Sequence, residues 1–174
     1  MINVKIVSGL YCGDAEYWEA HKDEFDYVIH ACKEPYHRMA LGYKGRGAPK
    51  DSEEYLIAER GNELCLNLID ADDPKYIPLT IMISAVQEID YQLEQKNKIF
   101  VHCNEGKSRA PGIVFMYLML ENIIGKSSYE EAVKKFKDVY PLFEPANGIN
   151  QFLKETYDLY YLELTSINKA KGEE

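Results

Sequence analysis

The stretch that decides the reading is Val101-His102-Cys103-Asn104-Glu105-Gly106-Lys107-Ser108-Arg109-Ala110-Pro111. Ahead of it, Lys98–His102 reads as a buried strand; after it, Arg109–Asn122 is mostly apolar over helical length. A cysteine therefore ends a strand, five residues turn, and an arginine opens a helix. A turn of this kind gathers backbone N–H groups at a helix N-terminus, which is a ready anion site. Gly106 lets the loop curl tightly at its centre. The planar fork of Arg109 suits two phosphate oxygens, and with the loop amides it favours the thiolate of Cys103 over the thiol. A thiolate beneath a phosphate cradle is a nucleophile aimed at phosphorus. The expected phosphate-binding residues are Asn104, Glu105, Gly106, Lys107, Ser108 and Arg109. His102 is read as a buried ring whose hydrogen bonds fix the loop, not as a metal ligand or general base. The competing reading is a strand–turn–helix that buries a structural cysteine. Against it stand the His-Cys pair at the strand end, the glycine at the loop centre and Pro111 in the next helix's first turns.

Working outward, strands and helices alternate. Val4–Leu10, Tyr27–Cys32 and Leu64–Ile69 read as further strands, and Ala15–Phe25 as a short helix. Residues 33–61 carry Gly42, Gly45, Gly47, Pro49 and Gly61 and read in part as a long surface loop. From Ile77 to Gln95 the apolar residues Met82, Val86, Ile89 and Leu93 recur at helical spacing. Helices are also expected over Tyr129–Val139 and Ile149–Leu164. The pattern predicts an α/β fold: a single-domain sandwich whose central mixed, mostly parallel sheet is flanked by helices. The domain is expected over 1–165, with 166–174 as a tail.

The 174 residues suffice to bury a core without staples. A net charge of −9 denies the chain the overall field that attracts nucleic acid or anionic membranes, so a phosphate site must be a local positive feature. No apolar run approaches membrane-spanning length and the N-terminal residues lack a signal-peptide core, so the expected location is the cytoplasm. The cysteines at 12, 32, 65 and 103 include no C-x-x-C pair, so free thiols are expected and structural zinc is not.

With these residues in view, the chain resembles the dual-specificity protein phosphatases of the protein tyrosine phosphatase superfamily. Their H-C-x5-R signature matches His102–Arg109. Ile6–Asp14 looks like the family's opening strand, Tyr27–Cys32 like its second, and Pro145–Ile149 like its late Pro-Asn-x-Gly turn with Asn shifted by one place. The resemblance implies hydrolysis of phosphate monoesters through a phosphocysteine, with no cofactor and no metal. The leaving oxygen needs a proton donor. The family places an Asp on a loop ahead of the cysteine, and Asp70, Asp72 and Asp73 lie there; Asp72 fits best by position, then Asp73, then Asp70.

One departure is Ala110, where the family usually has a hydroxyl residue that helps the cysteine leave the phosphoenzyme. The phosphatases of regenerating liver share Arg-Ala-Pro, the paired aspartates and a cysteine like Cys32. That likeness implies Cys32 as a redox partner for Cys103; the alternative is that Cys32 simply packs the core. The expected partner is a phosphorylated protein, phosphotyrosine before phosphoserine or phosphothreonine. The rivals are an inositol phosphate, phospholipid or RNA 5′-phosphate, or a phosphate-binding module with little turnover. Glu105 favours proteins over highly phosphorylated inositides, whereas Lys107 argues the other way. No other nucleic acid and no membrane are expected as partners.

Overall fold

Every residue of Ile99–Cys103 is buried, as a strand covered on both faces must be, and the rest of the sheet is arranged around it. In the computed structural model, which describes residues 1–124 and 128–172 with side chains as far as Tyr161, six strands form one sheet. They are β1 (Asn3–Val7), β2 (Leu10–Asp14), β3 (Tyr27–His30), β4 (Ile57–Arg60), β5 (Glu63–Leu66) and β6 (Ile99–Cys103), in the spatial order β1-β2-β6-β3-β5-β4. β2, β6, β3 and β5 run parallel, and β1 and β4 close the edges antiparallel. The mixed, mostly parallel sheet flanked by helices is the architecture expected from the sequence.

The helices are α1 (Ala15–Ala20), α2 (Arg38–Leu41), α3 (Leu79–Glu94), α4 (Arg109–Leu120), α5 (Tyr129–Val139) and α6 (Asn147–Gly172). α1 starts where Asp14 accepts a hydrogen bond from the Tyr17 amide, an N-cap that satisfies one of the helix's unpaired donors. α4 is apolar all round, and Ala110–Met119 are all buried, so this is a core helix with no solvent face. α3 buries Ile81, Met82, Ala85, Val86 and Ile89, one stripe at helical spacing.

The sheet separates two cores. Ile99, Val101 and Cys103 of β6 point into the larger one with α3–α6, while Phe100 joins Trp18, Phe25 and Val28 in a smaller one beneath α1. This division follows from the alternation of side chains along a strand.

Three local readings change. Val4–Leu10 is not one strand. The chain turns at Gly9, whose φ of +85° lies where glycine is favoured, and β1 and β2 form a hairpin. The stretch 33–61 holds a π-helical turn (Lys33–His37), α2 and β4, elements too short to show periodicity. α6 runs past the boundary placed at residue 165 as far as Gly172; residues 173 and 174 of the expected tail lie outside the described residues.

Phe115 is fully buried on α4 with Phe136, Phe143, Tyr129 and Tyr157 around its ring. Phe115→Ala is expected to destabilise the protein by about 3–5 kcal/mol through lost burial and the cavity left behind. A urea midpoint close to that of the wild type would show that this aromatic cluster does not hold α4 in place.

Candidate active site

β6 delivers Cys103 at its carboxyl end, the end at which open parallel sheets present their ligand crevice. The next five residues turn without regular structure, and α4 begins at Arg109. Gly106, at the loop's centre, has φ +68°. A side chain here would meet the Gly13 carbonyl at 2.9 Å, so this loop accepts only glycine on grounds of both conformation and space. Tyr140, buried between α5 and α6, donates its phenol to the Gly106 carbonyl at 2.6 Å. Asn104 donates to the Glu34 carbonyl (2.9 Å) and accepts from Arg109 Nη2 (2.8 Å), tying the loop to the Lys33–His37 turn and to its own arginine. The buried Ser108 hydroxyl donates to Asp70 (2.7 Å) and accepts from the Ala146 amide (2.9 Å).

Arg109 is therefore held from several sides. Its Nε lies 3.6 Å from Asp70, and its Nη1 is 3.4 Å from the Leu68 carbonyl. Cys103 itself is buried, with 1% of its surface exposed. Cys12 and Cys32 are fully buried as well; burial pushes the Cys12 thiol well up and the Cys32 thiol up to about 12. Cys32 follows β3, the strand beside β6, and the amide of its neighbour Ala31 bonds the His102 carbonyl at 2.8 Å.

The three aspartates before α3 have different surroundings. Asp73 caps the short turn Pro74–Tyr76, accepting from the Lys75 amide at 3.0 Å and pairing with its ammonium at 2.6 Å. That lysine lowers its pKa, first through the side-chain hydrogen bond. Asp70 is committed to Ser108 and Arg109. Asp72 is exposed, and its carboxylate has no hydrogen bond or ion pair among the described residues; only its backbone is held, by Asn147 at 2.9 Å. Gly148 packs against Ala71, where a side chain would strike the Ala71 carbonyl, and donates its amide to that carbonyl, so the start of α6 fixes this acidic turn. At the loop's rim, Lys107 pairs with Glu144 at 3.5 Å, and Glu105 is exposed.

His102 is buried as expected, but its hydrogen bond runs away from the loop. Its Nε2 lies 2.6 Å from His30 Nδ1, and His30 Nε2 lies 3.3 Å from Glu63. Tyr36 stacks on His30 at 4.1 Å, and Trp18 stacks on His102 at 5.9 Å. Sequence reading missed His30, Tyr140, Gly13 and the support given by Asp70, because each partner lies far along the chain from the loop it serves. Only Gly13 left a sign, in the opening strand on which the family resemblance drew.

No family model matches the chain. A curated relative, the dual specificity protein phosphatase PHS1 of Arabidopsis thaliana, is 31% identical over 107 residues; the match spans 52% of this chain and only 11% of that protein. Solved structures align over almost the whole chain. Human DUSP28 covers 91% of this chain and 95% of its own, with a TM-score of 0.65 at 18% identity. The human tyrosine phosphatase-like serine/threonine/tyrosine-interacting protein covers 91% and 97% (TM-score 0.59, 21% identity). The Yvh1 phosphatase domain from Chaetomium thermophilum covers 91% and 96% (TM-score 0.60, 19% identity).

The paired imidazoles have a measurable consequence. Burial is the first cause that pushes His30 down to about 2 and His102 to about 3, from an ordinary 6.5. Below 6.5 the unfolded chain takes up protons that the native rings refuse, so stability is full above that pH and declines as pH falls toward 3. The decline is about 1.4 kcal/mol per pH unit for each ring. Urea midpoints measured from pH 7 to 4 should fall less steeply in His30→Gln than in the wild type; parallel curves would mean that the ring titrates normally in the folded protein. On the strength of these alignments, the chain has the fold of the dual-specificity phosphatases of the protein tyrosine phosphatase superfamily.

Proposed function

We propose that this protein is a cysteine-dependent phosphatase that hydrolyses phosphate monoesters on proteins. The observation that carries the reading is Cys103 at the root of a loop curled by Gly106, with Arg109 braced by Asn104 and Asp70. Thiol, oxyanion cradle and fixed guanidinium meet at one strand end, which is what in-line attack on phosphorus requires.

In the first step the Cys103 thiolate attacks phosphorus, the bond from phosphorus to the leaving oxygen breaks, and Asp72 gives that oxygen a proton. Arg109 and the amides of residues 104–108 hold the equatorial oxygens. In the second step Asp72 takes a proton from water, the water oxygen bonds to phosphorus, and the sulfur–phosphorus bond breaks to release phosphate and restore the thiolate. Asp72 is assigned the proton because its carboxylate is free, whereas that of Asp73 is paired with Lys75 and that of Asp70 braces the loop.

A protein substrate is favoured over a highly phosphorylated inositol because Glu105 is exposed on the loop, while Lys107 is engaged by Glu144. Cys32, which follows the strand beside β6, is the residue we assign to trap an oxidised Cys103, although burial raises its pKa and makes it a slow attacking thiol in the resting fold. No helix among the described residues is long and apolar enough to cross a membrane.

Cys103→Ser is expected to abolish phosphate release from a phosphotyrosine peptide while tungstate still binds, since backbone and Arg109 form most of the cradle. Full activity in this variant would end the phosphocysteine reading. Tungstate binding by a wild type without turnover would replace it with a phosphate-binding module.

Asp72→Asn should slow hydrolysis of the same peptide by roughly 10²–10⁴-fold, the usual worth of general acid–base catalysis. It should affect an activated aryl phosphate much less, because that leaving group needs no proton. Asp73→Asn should leave both rates near those of the wild type. The reverse ranking would move the acid to Asp73.

A further inference from the structure

Behind the catalytic loop, on the α1 side of the sheet, β3 and β5 place three metal-ligating side chains together. His30 Nε2, a Glu63 carboxylate oxygen and Cys65 Sγ all lie within 4.8 Å of one another. The arrangement follows from strand register: His30 is paired with Cys65, and Glu63 lies two residues before Cys65, so all three share one face. His30 and Cys65 are buried, whereas the Glu63 side chain is 41% exposed and gives the cluster an opening to solvent. No Lys or Arg pairs with Glu63 among the described residues; its neighbour across the sheet, Arg60, is committed to Glu54.

The hydrogen bonds leading away from the cluster supply an independent observation. Without a cation, Glu63 must accept from His30 Nε2–H. His30 Nδ1 is then an acceptor and takes the proton of His102 Nε2. That leaves His102 Nδ1 as a bare lone pair, and it is a buried atom with no hydrogen-bond partner. One end of the relay is satisfied only at the expense of the other.

We propose that His30, Glu63 and Cys65 bind a zinc-class divalent cation, which sets the tautomers of His30 and His102 behind the Cys103 loop. A cation on His30 Nε2 leaves the ring's proton on Nδ1, which donates to His102 Nε2. The His102 proton then sits on Nδ1, so no bare lone pair is left buried at that atom. Imidazole, thiolate and carboxylate together are a zinc donor set, and a thiolate argues against the harder magnesium and calcium ions. Binding replaces the Cys65 proton. Two positive charges then meet one thiolate and one carboxylate, so the buried site is neutral overall. Water takes the fourth position on the Glu63 side. His102 acts here as the metal's outer hydrogen-bond partner. No sequence signal marks the site, because its ligands come from two strands and show none of the spacings of a zinc motif. It stands whether or not Cys103 is a nucleophile.

The test uses the full chain carrying Cys103→Ser, so that metal cannot bind at the catalytic thiol. Titration with cobalt(II) is expected to give one bound ion, with tetrahedral visible bands and a thiolate-to-cobalt charge-transfer band in the near ultraviolet. The charge-transfer band should vanish on adding Cys65→Ser, and the affinity should fall at least tenfold on adding Glu63→Gln. Both are mild changes whose folding circular dichroism can confirm. Long-range proton–nitrogen correlations should move the protons of His30 and His102 from Nε2 to Nδ1 when zinc is added. Absence of stoichiometric binding, a charge-transfer band that survives loss of Cys65, or tautomers unchanged by zinc would each overturn the proposal.

Discussion

The site depends on the contact between two glycines. Gly106 comes so close to Gly13 that a single added carbon would collide with backbone, and Gly13 is itself pinned, because a side chain there would run into the Ile2 carbonyl. Three pieces of main chain are thereby packed together: Ile2 just before β1, the end of β2 and the centre of the cysteine loop. Backbone cannot yield as a long side chain can, so the height of the loop above the sheet is set by covalent geometry. The Tyr140 phenol closes the arrangement from the other side by binding the Gly106 carbonyl. The anion cradle is thus clamped between a hairpin at the start of the chain and an aromatic ring far along it.

Arg109 works within that clamp under a constraint set by the protein's charge. The chain carries −9 overall, and the nearest acid to the guanidinium is Asp70, 3.6 Å away. At that distance Asp70 orients Arg109 without capturing it in a bidentate fork, because its other oxygen is occupied by Ser108. On the function proposed above, a dianionic phosphate would offer the guanidinium more charge than Asp70 does and a bidentate geometry. The acidic residue that looks like a competitor for the arginine is, on this geometry, its support.

How far the sequence could be read follows from the range of each interaction. The strand, turn and helix around Cys103 were legible because they are contiguous in the chain. α3 and α5 were legible for the same reason, since a stripe at helical spacing is a local signal, and α4 was legible from an apolar run of helical length. The β1–β2 hairpin was misread because Val4–Leu10 is rich in β-branched and apolar residues, and the turn at Ser8-Gly9 shows only in the conformation of Gly9. β4 and α2 are four residues each, too short to display a period. The aspartates showed the limit most clearly. Three of them lay in one short turn, and what separates them is their partners, Ser108 and Arg109 for Asp70 and Lys75 for Asp73. Of those, only Lys75 was near enough in sequence to suggest itself.

β6 joins the two halves of the molecule because its side chains alternate. Cys103 belongs to the large core, where α4 and its buried apolar surface leave the cysteine no freedom to drift. His102, one residue earlier, faces the opposite way into the small core, among Trp18, Tyr36 and His30. A change in the small core cannot reach Cys103 through packing, since the sheet lies between. It can reach it through the peptide unit the two residues share, because the His102 ring sits beside the Cys103 main chain and the His102 carbonyl is held by Ala31. The neutral, paired imidazoles are therefore more than filler under α1. They are the side of β6 from which the orientation of the Cys103 carbonyl, and with it the first turn of the loop, can be set from the face of the sheet opposite the Cys103 side chain.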